Sequence, residues 1–224
     1  MEEYLPILKK SSLFDRTRPD EILTMLQCLS ARIKHYKKEE FIIISGDFIH
    51  SAGMVVSGNA LIIQEDFWGR RTILSEAQPG SLFAEVYACL PSIPVEVSVV
   101  ADSECDILFL DVNRILTVCS SQCSFHSRLI RNFLSTFALR NLMLTKKMQH
   151  MSKKTIREKL LSYLSDESLK NNSSAFDIPF NRQQLADYLS VDRSALSNEM
   201  GKLQSEGLLT FKKNHFTLKE KFHE

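Results

Sequence analysis

The sequence contains no run of 18 apolar residues, which argues against a helix that crosses a membrane. Its first residues, Met1-Glu2-Glu3, lack the basic and apolar segments of a secretion signal, so we expect the protein in the cytoplasm. A charge excess is also missing, because 28 Lys and Arg against 27 Asp and Glu give a net charge of +1. Any affinity for nucleic acid must therefore come from the local placement of cations.

Motifs of nucleophilic catalysis are absent as well. Ser, His and Asp occur without a Gly-x-Ser-x-Gly elbow or a comparable context. A β-rich enzyme of the cupin type would need clustered His and Glu on its strands, and His50 stands alone. We therefore expect a protein that acts by binding and is not an enzyme, and we predict no cofactor.

The sequence has five cysteines, an odd number: Cys28, Cys89, Cys105, Cys119 and Cys123. In a reducing compartment they are most simply free thiols. Cys119, Cys123 and His126 are spaced by four and three residues, which one helix would place on one face. With Cys105 as a fourth ligand, this set could bind a metal or respond to redox state. The same spacing fits helix packing, because free Cys is often buried.

Between residues 37 and 112, short apolar runs alternate with turn residues. The run at residues 41–44 ends at Ser45-Gly46-Asp47, and the run at residues 54–56 ends at Ser57-Gly58-Asn59. β-Branched and aromatic residues interrupted in this way by Gly, Asp and Asn indicate a compact antiparallel barrel or sandwich. Residues 5–29, which precede it, have a helical pattern.

Residues 125–151 contain neither Gly nor Pro, which predicts one long helix. Along it, seven residues recur in alternating steps of four and three: Ile130, Leu134, Phe137, Asn141, Leu144, Met148 and Met151. Such a heptad-like seam favours a parallel two-stranded dimer, in which the Asn pair would fix the register. The alternative is a long helix packed on its own β-domain. Both can hold, since Phe133 and Leu142 lie off the seam and could face the β-domain.

Residues 180–209 predict two short helices joined by a tight turn, followed by a possible hairpin. Asn181 and Asp192 are good N-cap residues, and Gly207 is suited to end the second helix. This pattern is typical of a winged helix-turn-helix. The alternative is a winged helix that serves protein contacts.

The second of these helices presents hydrogen-bonding side chains suited to the edges of bases in a major groove: Arg193, Ser194, Ser197 and Asn198. A further set could contact phosphates: Asn181, Arg182, Gln183, Lys202, Lys212 and Lys213. The sequence therefore predicts double-stranded DNA as a partner.

A β-rich domain, a long seam helix and a winged helix-turn-helix together resemble the Crp/Fnr family of bacterial regulators. The resemblance covers nearly the whole chain and implies an α+β fold in three parts. These are a cyclic-nucleotide-binding-like β-roll (residues 1–124), a dimerisation helix (residues 125–151) and a winged helix-turn-helix (residues 152–224). It also implies a homodimer on a partly palindromic operator, an effector that acts through the β-roll and, for an activator, contact with RNA polymerase.

The sequence departs from the family pattern in the DNA-reading helix and in the effector-binding segment of the β-roll. Arg193 matches the first Arg of the family's reading helix, but Ser194 and Asn198 stand where Glu and a second Arg are usual, so we expect a different operator. Residues 79–85 resemble the phosphate-binding segment, with Glu85 placed to contact a ribose. Val95, however, stands where the phosphate-binding Arg should be.

A cyclic phosphate without that cation would lose a charge-assisted pair that is often worth ~1.5–3 kcal/mol. Glu96 beside Val95 would also repel the phosphate. We therefore expect an effector other than cAMP, a small molecule of unknown identity. A pocket for it could be lined by Phe83, Glu85, Val95 and Leu142, although these residues could instead fill the core.

Overall fold

The structure is a computed structural model, and it describes residues 1–117 and 124–219. The chain divides into two compact units, Met1–Phe137 and Ala138–Glu224. The helices are α1 (Leu5–Leu8), α2 (Pro19–Cys28), α3 (Glu85–Cys89), α4 (Val112–Leu116), α5 (Ser124–Met151), α6 (Ile156–Asn171), α7 (Arg182–Leu189) and α8 (Arg193–Ser205). The strands are β1 (Arg32–Tyr36), β2 (Phe41–Ile43), β3 (Ser51–Ser57), β4 (Ala60–Glu65), β5 (Arg71–Ala77), β6 (Leu82–Phe83), β7 (Ser98–Ala101), β8 (Cys105–Asp111), β9 (Ala175–Asp177), β10 (Leu209–Lys212) and β11 (His215–Leu218).

The first unit contains two four-stranded antiparallel sheets, with strand orders β1-β8-β3-β6 and β2-β7-β4-β5. Successive side chains of a strand point to opposite faces of the sheet, and β3 and β8 bury side chains on both faces. Val55 pairs with Ile107, and both side chains belong to the cluster that fills the space between the sheets. Met54 pairs with Leu108, and both lie in the cluster shared with the helices. The predicted antiparallel β-domain is confirmed.

The first half of α5 packs onto this unit. Leu129 and Phe133 are buried in the same cluster as side chains of α2, β3 and β8. Asn132 Nδ2 donates to the carbonyl oxygens of Leu13 (3.1 Å) and Asp15 (3.0 Å), which ties the N-terminal segment to the helix. Part of the long helix therefore packs on its own β-domain, mainly through residues that lie off the predicted seam, although the seam residue Phe137 is partly buried against the same cluster.

In the second unit, α6, α7 and α8 surround one buried cluster that a three-stranded sheet of order β10-β11-β9 completes. The α6 helix begins at a capping box, in which Thr155 Oγ1 accepts from the backbone N–H of Glu158. Strands β10 and β11 form a hairpin whose turn contains Lys213 at φ 54°. The α+β class and the winged helix-turn-helix arrangement are confirmed.

Candidate DNA-binding surface and sensor site

Local capping hydrogen bonds position the two helices of the helix-turn-helix. Asn181 Oδ1 accepts from the N–H of Gln184 (2.9 Å), and Gln184 Oε1 accepts from the N–H of Asn181 (2.8 Å). Asp192 Oδ1 accepts from the N–H of Ala195 (2.8 Å) at the start of α8. Ser190 ends α7 at φ 51°, in the left-handed region. These contacts satisfy backbone groups that a helix end leaves unpaired and fix the turn between α7 and α8.

A lysine whose role no sequence pattern indicates also acts at this turn. Lys159 Nζ, on α6, donates to the carbonyl oxygens of Leu189 (3.3 Å) and Ser190 (3.5 Å). A cation at the C-terminal end of a helix is favourable because the last carbonyls carry partial negative charge. Only the tertiary arrangement reveals this contact, because Lys159 lies 30 residues before Leu189.

The outward face of α8 carries all four predicted base-contact residues. Arg193, Ser194, Ser197 and Asn198 are exposed, whereas the opposite face of the helix lies in the buried cluster. Ser197 Oγ donates to the carbonyl oxygen of Arg193 (2.9 Å), which leaves its lone pairs available to a donor outside the helix. This surface offers a guanidinium, a carboxamide and two hydroxyl groups within six successive residues, a set that can read the edges of bases.

The six predicted phosphate-contact residues differ in their environments. Asn181, Gln183, Lys202, Lys212 and Lys213 are exposed. Lys202 Nζ lies 3.6 Å from a carboxylate oxygen of Glu199, and Gln183 Nε2 donates to Asp187 Oδ1 (2.8 Å). Lys212 and Lys213, which we call the wing lysines, are exposed at the turn between β10 and β11.

Arg182 differs because much of its side chain is withdrawn into the fold. Its guanidinium lies over the ring of Phe211, 5.0 Å from the centroid, and contacts the sulfur of Met200. Burial lowers the pKa of Arg182, and the positive charge of Arg193 lowers it further. Arg182 thus joins α7 to α8 and the wing, and it brings a second positive charge close to Arg193.

The residues of the candidate effector pocket have contrasting positions. Phe83 and Val95 belong to the buried cluster between the two sheets, and Glu85 is buried at the first residue of α3. A Cβ atom at Gly53 would lie 2.2 Å from Phe83 Cζ, so this ring packs directly on the backbone of β3. Leu142 lies in the other unit and is 60% exposed.

The segment that precedes Glu85 has an unusual backbone. Ala84 adopts φ 58° and ψ 10°, a left-handed conformation that is costly for a residue with a Cβ atom. It stands immediately before α3, in the segment at residues 79–85 that resembles a phosphate-binding loop. A strained residue at this position is consistent with a site whose backbone geometry matters.

Of the four residues in the metal or redox hypothesis, the structure describes Cys105 and His126. Cys119 and Cys123 lie outside the described residues. Cys105 is buried on β8, and burial raises the pKa of its thiol, which disfavours the thiolate that metals and oxidants require. His126 is buried with Nε2 2.9 Å from the carbonyl oxygen of Ile115. Among residues 1–117 and 124–219, no three His, Cys, Asp or Glu side chains are grouped so that they could hold a metal.

No helix among residues 1–117 and 124–219 is long and apolar enough to span a membrane.

Comparison with known proteins identifies two domains in the chain. The family model described as a cyclic nucleotide-binding domain matches residues 33–122, and the Crp-like helix-turn-helix domain matches residues 158–221. No curated protein matches the chain.

Among solved structures, an OCPA complex of CprK is similar, with 16% identity, coverage of 87% of this chain and 88% of that chain, and a TM-score of 0.58. DNR from Pseudomonas aeruginosa has 17% identity, coverage of 99% and 96%, and a TM-score of 0.50. The c-di-GMP responsive regulator CLP of Xanthomonas campestris has 20% identity, coverage of 89% and 100%, and a TM-score of 0.50. At these identities the likeness concerns the fold.

Proposed function

Because the chain belongs to the Crp/Fnr family of transcription regulators, we propose that it is a cytoplasmic homodimer that recognises a partly palindromic DNA operator through the outward face of α8. The observation that carries this proposal is the exposure of Arg193, Ser194, Ser197 and Asn198 on a helix whose other face is fully buried. Arg193 pairs with guanine O6 and N7, and Asn198 with adenine N6 and N7. The wing lysines contact phosphates and set the register on the duplex.

Dimerisation buries the seam of α5. Leu134, Leu144 and Met148 are 57%, 60% and 70% exposed, although large apolar side chains usually avoid water. The alternating steps of four and three residues along the whole seam fit a second copy of the same helix better than a flat partner surface. The two α8 helices then enter successive major grooves about 34 Å apart, as in helix-turn-helix dimers generally.

The β-roll responds to a small effector other than cAMP. Val95 is buried where a cyclic phosphate would need a cation, and the neighbouring Glu96 is exposed with the wrong charge. Effector binding changes the relation between the two DNA-binding units through α5, which contributes to both compact units of the chain. An activating form additionally contacts RNA polymerase.

Selection from a random DNA pool tests operator recognition. We expect the purified protein to enrich a sequence with two inverted half-sites whose centres lie about one helical turn apart. Affinity for this sequence should exceed that for random DNA by at least about 10³-fold at physiological salt. Enriched sequences without dyad symmetry, or equal affinity for all DNA, would contradict the proposal.

Sedimentation equilibrium tests the seam with two seam variants and one matched control. Leu144→Glu and Met148→Glu place charges on the seam and should convert the dimer to a monomer, because each buried carboxylate would lose its hydration. Leu139→Glu makes the same chemical change on another face of α5, at a side chain that is 55% exposed, and should remain dimeric. The predicted position of the seam is wrong if Leu139→Glu dissociates the dimer while Leu144→Glu and Met148→Glu do not.

A further inference from the structure

The second unit contains a cavity of about 420 Å³ that the regulator function does not use. It lies between the second half of α5, the second half of α6, the segment before α7 and Tyr188 near the end of α7, entirely within Ala138–Glu224. Its volume falls in the range of pockets that hold small organic molecules, roughly 300–1,000 Å³. Its walls are mainly apolar, and Leu142 and Met143 at its edge are exposed.

One wall of the cavity is aromatic. Phe180 and Tyr188 lie with ring centroids 5.0 Å apart, and Tyr163 lies 5.4 Å from Tyr188 and 6.0 Å from Phe180. His150 approaches the ring of Tyr163 edge-on at 5.8 Å. Such a wall favours a flat apolar group, because offset and edge-to-face ring contacts add to the energy of apolar burial.

Two polar groups that line the cavity, the Lys147 ammonium and the Tyr163 hydroxyl, have no polar partner within the described residues. Lys146 Nζ lies 3.1 Å from Asp166 and Lys170 Nζ lies 3.5 Å from Glu167, so both carboxylates of the rim have cations. Lys147 has no carboxylate within ion-pair distance in the described part of the chain, and its Nζ lies 5.6 Å from the Tyr188 centroid.

The other group is the Tyr163 hydroxyl. Tyr163 is 3% exposed, and its oxygen has no hydrogen-bond partner among residues 1–117 and 124–219. Buried hydroxyl groups nearly always have a partner, so an orphan on the wall of a cavity indicates a missing polar atom. An ammonium can only donate and a phenol hydroxyl can donate as well as accept, so an acceptor is the one kind of atom that satisfies both groups.

From this arrangement we propose that the cavity binds a small aromatic carboxylate. The ring of the ligand packs on Phe180 and Tyr188, its carboxylate pairs with Lys147, and the Tyr163 hydroxyl donates to a ligand oxygen. This site is separate from any effector site in the β-roll, since all of its lining residues belong to the second unit.

The cavity and the predicted seam meet at Leu144, which belongs to both, and the other cavity residues of α5 lie off the seam. Leu139 lines the cavity and Met148 lies on the predicted seam, and these residues are about 180° apart around α5 at 3.6 residues per turn. Met143, also in the cavity wall, is about 140° from Met148 by the same measure. The ligand therefore lies mainly on the side of α5 that faces away from the second copy, with Leu144 at the boundary between the cavity and the seam.

Saturation-transfer NMR and equilibrium dialysis on the full-length protein test this site, with 2-naphthoate as the probe. We expect one site per chain with a Kd of about 1 mM or tighter. Lys147→Met should weaken binding about tenfold, Lys147→Arg should restore most of it, and Lys153→Met, outside the cavity, should change nothing. The neutral analogue 2-naphthalenemethanol should bind about tenfold more weakly than 2-naphthoate.

Tyr163→Phe supplies a second variant that keeps the shape of the ring. It should weaken 2-naphthoate binding several-fold while the free protein becomes no less stable, because no existing hydrogen bond is lost. The proposal is overturned if 2-naphthoate does not bind, or if its affinity is unchanged in both Lys147→Met and Tyr163→Phe. A Met143→Trp variant that fills the cavity yet binds the probe normally would overturn it as well.

Discussion

The candidate functional residues are exposed on the outward face of α8 but buried in the interior of the β-roll. Arg193, Ser194 and Asn198 are exposed, and the helix beneath them is stabilised by other residues. Phe83 and Val95 are candidates for effector contact, but both are part of the core. Changes on α8 should therefore alter DNA binding without altering stability, whereas changes in the β-roll should alter stability first.

The largest expected effect is on the stability of the β-roll. Phe83→Ala removes a buried ring that packs on the backbone at Gly53 and should lower the free energy of unfolding by about 3–5 kcal/mol. Chemical denaturation followed by circular dichroism measures this change. The control is Phe67→Ala, since Phe67 is 95% exposed and its loss should cost little. Equal effects of the two substitutions would mean that Phe83 is not a core residue.

The next effect is on DNA recognition. Arg193→Ala should cost roughly 1–3 kcal/mol of operator binding and relax specificity at one base position in each half-site. Its free energy of unfolding should stay unchanged, because the side chain is exposed. Lys202→Ala, by contrast, should weaken operator and random DNA alike. Fluorescence anisotropy with both DNAs separates these outcomes, and an equal loss for Arg193→Ala would make it a phosphate contact only.

A smaller effect should show what supports the α8 surface. Asp192→Ala removes the acceptor for the Ala195 N–H and should destabilise the second unit by about 1 kcal/mol. Asp192→Asn keeps an acceptor and should cost less. Thermal unfolding measures both variants. If Asp192→Ala leaves the melting temperature unchanged, the cap does not hold the start of α8.

The smallest effect concerns pH and the second unit. Burial lowers the pKa of His150, and Asp166 opposes this shift while Lys146 adds to it. Glu167 also raises the pKa and Lys153 lowers it. Below the ordinary histidine pKa of about 6.5 the unfolded chain therefore binds more protons than the folded one, so stability should fall as the pH decreases through that value.

The slope for one histidine cannot exceed about 1.4 kcal/mol per pH unit. Denaturation of the second unit at pH 7.5 and 5.5 measures it, and His150→Gln should reduce the difference. A pH dependence that is undiminished in this variant would assign the effect to other groups.

Much of the DNA-binding surface could be predicted from the sequence because its signals are local. The cap residues Asn181 and Asp192 act on backbone groups three residues away, and the apolar period fixes which face of α8 is buried. Arg182 shows the limit of such reasoning. Its residue type indicates a phosphate contact, but Phe211 and Met200, distant in sequence, withdraw much of its side chain.

The effector residues show a different limit. Sequence comparison placed Glu85 and Val95 at positions of a binding site, and only the packing shows that Phe83 and Val95 fill the space between two sheets. The cavity beside Tyr163 could not be predicted at all. Its walls come from three helices and the segment before α7, and an unpartnered hydroxyl leaves no pattern in the sequence.

By itself, the sequence determined the order of the parts: a β-domain, a long helix and a winged helix-turn-helix. Strand alternation, the four-and-three spacing along α5 and the helix caps depend on neighbours within a few residues, so the chain specifies them locally. Tertiary structure alone decided how deeply Arg182 and Phe83 are buried, where Lys159 donates and whether a cavity remains. Burial and electrostatic environment depend on the total packing around a group, which residues far apart in the chain supply.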